Sequence, residues 1–380
     1  IKEHRDELKK IKIALMSDAM DRRPERSITS RRLVENLLKH SELEIYLIHF
    51  QKMPDDPLYR RVHEIVIPLL PLPWASHFFS FLWFCLKTKE KFDIFQWMVA
   101  RPYPFFWLVP SKKIVVTAHD GYVDLWTVPN TFFWAMLRFF HHYIGAIIGV
   151  SEFASKEIIY TYHVRPEKVF TIYNGMDPIF RHIPENEARR IVGKYSADIG
   201  RYFIYVGGLQ PHKNVKRIVE SYILLRDTID IKEKLLIIGK SSYGAKEVHS
   251  LAESSRYSKD ILFINYMPLE DLPAFYSAAI ALVFPSLNEG FGLPIIESMG
   301  CGTPVITSNI LAMPEAAGGA ALLVNPYNAA DIMEAMKRIS GDELLRRELS
   351  EKGVEYAKAF SWDKYAEDNL AVYMTLLTNK

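Results

Sequence analysis

Cysteine is nearly absent: the chain of 380 residues has two, Cys85 and Cys301. So few, so far apart, exclude a disulfide framework, a thiolate metal site and a Cys-x-x-Cys redox centre, and they point to a reduced, cytoplasmic compartment. A surplus of one charge is missing as well. Lys plus Arg number 47 against 45 Asp plus Glu, a formal net charge of +2, whereas a nucleic-acid-binding domain is strongly basic. No Gly-x-Gly-x-x-Gly follows an apolar run, which disfavours a dinucleotide-dependent dehydrogenase. There is no solenoid repeat and no low-complexity tract. The opening residues, Ile1-Lys2-Glu3-His4-Arg5, are charged, unlike a signal peptide. One uncharged run, 65–86, has the length of a membrane span. Pro68, Pro71 and Pro73 break it and His77 adds a polar group, so the expectation is a strand, a loop and a buried helix from about Trp74. A surface that touches a membrane is the alternative for this run.

What is present is globular: 49% hydrophobic and 24% charged residues, in a chain long enough for two cores. Short apolar runs alternate with amphipathic helical patterns throughout. The strand candidates are 11–16, 44–48, 63–67, 93–95, 114–118, 146–150 and 169–173, then 202–206, 235–238, 261–264, 281–284, 305–307 and 321–324. This order predicts an α/β chain of two doubly wound, Rossmann-like domains facing across a cleft, with chemistry in the loops that follow the strands. The first domain is expected over 1–185 and the second over 186–358, with a final helix in 359–380. The polar stretch 181–200 is expected to hold the linker.

Two loops of the second half carry the strongest chemistry. After 202–206 the chain reads Gly207-Gly208-Leu209-Gln210-Pro211-His212-Lys213-Asn214 and then becomes helical. Paired glycines let a backbone approach a ligand, a helix amino terminus favours an anion, and Lys213 adds a full positive charge. A diphosphate suits that combination; a glycine turn beside a solvated lysine is the bland alternative. After 281–284 come Glu289-Gly290-Phe291-Gly292-Leu293-Pro294-Ile295-Ile296-Glu297. Gly290 and Gly292 free backbone amides at a helix start, and Pro294 costs no hydrogen bond in the first turn. Glu289 and Glu297 can each accept hydrogen bonds from vicinal hydroxyls of a sugar or ribose. In the bland reading Glu289 is solvated and Glu297 only complements the helix dipole.

In the first half, 114–118 ends at His119. Directly after a buried strand it would face the cleft and donate to a phosphate or sugar hydroxyl, or else be a satisfied loop histidine. Ser151-Glu152 reads as a capped helix start and Asn174-Gly175 as a turn. Arg22, Arg23, Arg26, Arg31 and Arg32 would rim the cleft. They could hold an acidic acceptor or an anionic membrane surface, or form a solvated face. The aromatic-rich stretch 131–143 is expected to be core or interdomain packing, with membrane contact as the alternative.

The string from Asn288 to Ser308, NEGFGLPIIESMGCGTPVITS, resembles the signature of the family 4 (group 1) retaining glycosyltransferases. VVTAHD, GVSEFASKEI, VFTIYNGMD, YVGGLQPHKN and FSWDKYAEDNLAVY match in the same order, from about residue 114 to the carboxyl end. The resemblance implies a GT-B fold, a nucleotide-sugar donor in the second domain, an acceptor on the first, and a last helix that returns to the first. It implies that Glu297 binds the donor ribose and Glu289 the hydroxyls of the transferred sugar. Gly207 and Gly208 would line the diphosphate, Gly290, Phe291, Gly292 and Leu293 the sugar and diphosphate. Lys213 would neutralise the diphosphate, and His119 would sit near the reacting carbon. Arg22, Arg23 and Arg26 remain candidates for the acceptor.

Two departures from the family pattern stand out. Many relatives carry an arginine in the phosphate loop, where this chain has Gly208 and His212, so Lys213 would bear more of the charge. Many also have glycines after the first strand, where this chain reads SDAMDRRPERSITS. With no Asp-x-Asp suited to a metal-bound diphosphate, no metal is expected. The loop 207–214 is most similar to mannosyl- or rhamnosyl-transferring relatives, which favours a GDP-sugar over a UDP-, dTDP- or ADP-sugar. A glycan or lipid-linked acceptor and peripheral membrane contact complete the reading. A sugar-nucleotide epimerase or phosphorylase of the same fold, and a non-catalytic sugar-nucleotide-binding subunit, are the alternatives.

Overall fold

The computed structural model describes residues 10–16, 28–52, 56–71, 76–98, 105–118, 138–195, 199–241 and 243–378. The chain divides into two compact units, Ile1–Gly175 with Trp362–Lys380, and Met176–Ser361.

In the first unit β1 (Ile11–Met16), β2 (Leu43–His49), β3 (His63–Val66), β4 (Phe92–Trp97), β5 (Ser111–Ala118), β6 (Ala146–Gly149) and β7 (Val169–Thr171) form one parallel sheet. Its order is β3-β2-β1-β4-β5-β6-β7, and Ile13 of β1 lies level with Ile45 and Ile94 of its neighbours. Parallel strands covered on both faces carry unbroken apolar runs. Ile13 and Leu15 pack with Leu33, Val34 and Leu37 of helix Ile28–Leu37 and with Trp362, Tyr365 and Tyr373 of helix Trp362–Thr378. Ala14 and Met16 belong to the opposite core, with Phe81 and Phe84 of helix Ser76–Lys87 and Ile158 of helix Glu152–Tyr162. Ser151 caps the latter, accepting from the Ala154 amide at 3.0 Å.

A buried polar network fixes the last helix to this sheet. The Gln96 amide on β4 donates to Thr117 Oγ1 at 2.8 Å and to Asn369 Oδ1 at 3.1 Å, and the Tyr373 hydroxyl donates to Gln96 Oε1. Gln96, Thr117, Asn369 and Tyr373 are all 0% exposed. Tyr373→Phe keeps the ring and strands a buried acceptor, which should cost about 1–3 kcal/mol. Thermal unfolding is the check, and an unchanged midpoint would show that the network does not hold the helix.

In the second unit β8 (Tyr202–Val206), β9 (Lys234–Ile238), β10 (Ile261–Ile264), β11 (Ala281–Phe284), β12 (Val305–Ser308) and β13 (Ala321–Val324) form a parallel sheet in the order β10-β9-β8-β11-β12-β13. Helix Val215–Thr228 buries Ile218, Val219, Tyr222 and Leu225, one face at helical spacing. Asp342 caps helix Glu343–Ala357, accepting from the Leu345 amide at 2.9 Å.

Three local expectations are corrected. The stretch 181–200 holds helix Glu185–Gly193 with Ala188 and Val192 buried, inside the second unit, rather than a linker. The helix expected to be buried from Trp74 is Ser76–Lys87. It buries Ser80, Phe81 and Phe84 but leaves Phe79, Trp83 and Leu86 exposed at 42%, 43% and 68%. The strand expected over 169–173 ends at Thr171. Among the described residues no helix is long and apolar enough to cross a membrane.

Candidate active site

The strand order of the second unit reverses between β8 and β11, which are neighbours. Ligands of open α/β sheets bind at such a point, beyond the carboxyl ends of the strands. The loops leaving β8 and β11 are those singled out in the sequence.

Gly207 leaves β8 at φ +148°, and a Cβ there would meet the Tyr205 hydroxyl at 2.8 Å. That hydroxyl donates to the Gly208 carbonyl at 2.7 Å and fixes the glycine pair. A single turn, Pro211–Lys213, follows and ends at Asn214 in the left-handed region. The Asn214 side-chain amide is buried and donates to the carbonyls of Pro285 at 3.0 Å and Pro326 at 2.7 Å. The His212 carbonyl accepts from the Leu287 amide at 2.7 Å and from Ser286 Oγ at 2.9 Å. Four hydrogen bonds thus tie the loop after β8 to its surroundings, three of them to residues 285–287 after β11.

The result is an ion pair between Lys213 Nζ and Glu289 Oε1, with side chains 21% and 14% exposed. Ser286 Oγ, whose single proton is directed at the nearer His212 carbonyl, also lies 3.2 Å from Glu289 Oε1. The ammonium stands 5.8 Å above the Phe284 ring, which stacks on Tyr205. Gly290 and Phe291 are buried, and Gly292, at φ +102°, is the amino-terminal cap of helix Leu293–Gly300. A Cβ at Gly292 would press on Met313 Cε at 3.0 Å, and at φ +102° any larger residue would be strained. Among the described residues no side chain caps this helix start; Pro294 has no amide hydrogen and the Ile295 amide donates to the Gly292 carbonyl at 2.9 Å, which leaves the Leu293 amide for an anion.

Glu297 lies one turn further along. Part of its surface is open, yet protein surrounds the carboxyl closely enough for desolvation to push it up to about 7. The Asp177 charge acts in the same direction, and a hydrogen bond from the Tyr276 hydroxyl at 3.2 Å acts against both. A desolvated acceptor with free lone pairs suits neutral hydroxyl donors.

Of the residues singled out in the sequence, Lys213 and Glu289 meet directly. Gly207, Gly208, Gly290, Phe291, Gly292, Leu293 and Glu297 all belong to the loops and helix around that pair. His119, Arg22, Arg23 and Arg26 lie outside the described residues. Arg31 and Arg32 do not form a free basic rim. Arg31 pairs with Glu35 and with Asp56, each at 3.0 Å, and Arg32 with Glu35 at 2.8 Å. Sequence reasoning missed Tyr276, Tyr205 and Asn214. Tyr276 sits on helix Leu272–Ala278, and nothing local signals that it would meet Glu297. A cavity of about 510 Å³ lies against the same loop, lined by Leu209, Gln210, Pro211 and Asn214 and by the first turns of helices Val215–Thr228 and Ala245–Ser254, where Lys216 is paired with Glu247 at 3.3 Å. Among the described residues no cluster of three His, Cys, Asp or Glu side chains is placed to hold a metal ion.

Comparison with known proteins bears on this site. The description of the group 1 glycosyl transferases matches residues 188–358, and that of glycosyltransferase family 4 matches residues 22–180. The O-antigen chain mannosyltransferase B of Escherichia coli is 28% identical over 70% of this chain and 71% of its own length. The longer serotype-specific mannosyltransferase WbdA of E. coli is 29% identical over 61% of this chain, which spans only 29% of WbdA. A glycosyltransferase from Rickettsia africae superposes with a TM-score of 0.80 at 18% identity, covering 98% of this chain and all of its own. Anabaena Alr3699/HepE, solved with UDP and glucose, gives 0.77 at 14% identity, covering 96% of this chain and 100% of its own. Two parallel-sheet α/β units with these neighbours define a GT-B fold, and the protein is a glycosyltransferase. The chain belongs to the group 1, family 4 glycosyltransferases.

Proposed function

We propose that the protein moves a hexose, mannose or a related sugar, from a GDP-sugar to a glycan or lipid-linked acceptor, with retention of anomeric configuration. The observation that carries the reading is the meeting of Lys213 and Glu289 beside an uncapped, glycine-rich helix start at the strand-order reversal. The mannosyltransferase relatives support the sugar. Charge builds on the departing diphosphate, and preorganised donors there lower the barrier. Lys213 and the amides from Gly290 to Leu293 fill that role. Glu289 accepts from hydroxyls of the sugar and Glu297 from those of the ribose. His119 is assigned the role at the reacting carbon, and Arg22, Arg23 and Arg26 that of holding the acceptor. The acceptor hydroxyl attacks on the face that the diphosphate leaves, and a diphosphate oxygen takes its proton. Lys213 supplies the countercharge, so the scheme needs no metal ion.

A thermal-shift panel with GDP, UDP, ADP, dTDP and their sugar conjugates tests the donor. Ligand at about 100 times its dissociation constant adds ~2.7 kcal/mol, and GDP-mannose is expected to give the shift. A shift with UDP-glucose alone would overturn the choice of GDP and mannose. Conversion or phosphorolysis of the donor with no acceptor present would replace transfer by epimerase or phosphorylase chemistry. Donor binding with no turnover under any condition would leave a non-catalytic subunit.

Work at the inner face of a membrane is part of the proposal. Phe79, Trp83 and Leu86 line the exposed side of helix Ser76–Lys87, and Lys87, Lys89 and Lys91 follow, all exposed. Phe79 contacts Phe78, Phe78 contacts Phe105, and Trp107 bridges Phe105 to Phe140, a continuous run of rings. Aromatic and Leu side chains beside lysines suit an anionic lipid surface. The protein is expected to sediment with anionic vesicles and not with neutral ones, and the double substitution Trp83→Ser, Leu86→Ser should reduce this. Equal sedimentation with both vesicle types, or none with either, would remove the membrane from the proposal.

A further inference from the structure

The Lys213–Glu289 pair has a consequence for which nucleotide the site keeps, resting on the donor-site reading above. In the site each charge neutralises the other. Among the described residues Lys213 makes one ion pair, and Glu289 has beside it only Ser286 Oγ at 3.2 Å, whose proton is shared with the nearer His212 carbonyl. A nucleotide sugar replaces both partners at once: the diphosphate takes the ammonium and the sugar hydroxyls take the carboxylate. A sugar-free nucleoside diphosphate replaces only one. It draws on Lys213 and offers Glu289 nothing, leaving a carboxylate 14% exposed with a weakened partner. That loss is costly for a desolvated charge. The free diphosphate also carries more negative charge than its sugar ester, and like charges repel strongly in a half-buried site.

We propose that the Lys213–Glu289 pair makes the site discriminate against free nucleoside diphosphate in favour of the sugar-bearing donor. Loss of the sugar in transfer then weakens the hold on the nucleotide that remains. Glu289 acts here as a specificity-determining residue, through its charge and through its claim on Lys213.

The test is equilibrium binding of GDP, GDP-mannose, UDP and UDP-glucose to the wild type, Glu289→Gln and Lys213→Met, by calorimetry. In the wild type the preferred nucleotide sugar should bind more tightly than its own diphosphate. Glu289→Gln, nearly isosteric, should bind the free diphosphate about tenfold tighter than the wild type does, a change of ~1.4 kcal/mol, and bind the nucleotide sugar no tighter. Glu289→Asp, which keeps the charge, should track the wild type. Diphosphate affinity unchanged or reduced in Glu289→Gln overturns the proposal, as does a wild type that binds diphosphate more tightly than nucleotide sugar. The latter comparison stands even if Glu289→Gln fails to fold. A different pattern would sink the donor site itself: no nucleotide bound by the wild type, or Lys213→Met binding all four ligands as the wild type does.

Discussion

Lys213→Ala is expected to lower the rate of sugar transfer by about 100- to 1000-fold, the ~2.7–4 kcal/mol that one preorganised donor contributes at a developing charge. The unfolding temperature should fall modestly, because Glu289, 14% exposed, loses its ion-pair partner. The size of the effect follows from where the ammonium stands. It is 21% exposed, and a charge in such a site acts far more strongly than in water. Helix Leu293–Gly300 offers only the partial charge of its amides. The path of the loop does not depend on the lysine. The loop is pinned by the Asn214 amide and the His212 carbonyl, none of which involves the lysine side chain. Steady-state kinetics with the donor fixed by the nucleotide panel gives the answer, and a loss of less than about tenfold, under ~1.4 kcal/mol, would remove Lys213 from the diphosphate site.

Glu297→Gln should do two opposite things: stabilise the protein at alkaline pH and weaken its grip on nucleotide. Desolvation raises the carboxyl from 4.5 to about 7, so the folded state holds this proton more tightly than the unfolded chain does. The stability linked to that proton is fully present below pH 4.5, falls as pH rises, and is lost once pH passes 7. An ionised Glu297 at pH 8 therefore costs on the order of 3 kcal/mol. Glutamine, always neutral, avoids the cost. The variant should melt several degrees higher than the wild type at pH 8, with the gap narrowing steadily towards pH 5. On the proposed donor-site reading the carboxylate is kept at that expense to accept from ribose hydroxyls, as stability of this kind is often given up at binding sites. Melting curves at three pH values and nucleotide titrations on the same samples decide the matter. A gap that does not vary with pH would mean that Glu297 is not the titrating group.

Much of the second unit could be read from its residues because its strands are short, apolar and separated by helical patterns. The expected 202–206, 261–264, 281–284 and 321–324 coincide with β8, β10, β11 and β13. The first unit was less legible at its strand ends. β5 begins at Ser111 and runs through Lys112 and Lys113 before its apolar part, because a ladder continues on backbone hydrogen bonds whatever the side chains. Lys112 is held by Asp93 of β4 at 2.6 Å, a pairing across strands that no local pattern reveals. Helix Glu185–Gly193 was hidden for a related reason: Ala188 and Val192 alone are buried, too little apolar surface to mark a period. At the site, charge and glycine were visible as types, so Lys213 and Glu289 could be named. Their meeting, and the approach of Tyr276 to Glu297 from another helix, depend on packing between distant segments.

The helix Trp362–Thr378 completes the first unit although the whole of Met176–Ser361 separates it from the rest of that unit. During translation, the seven strands of the first sheet leave the ribosome long before the helix that covers part of one face. At about 5–20 residues per second the intervening unit is made and can fold within the interval. Leu33 and Leu37 meanwhile have β1 but not the last helix to pack on, and Gln96 has Thr117 but neither Asn369 nor Tyr373. A nascent chain stalled before residue 362 would thus expose an apolar, strand-rich surface, the form in which chaperones take hold and premature termination is most harmful.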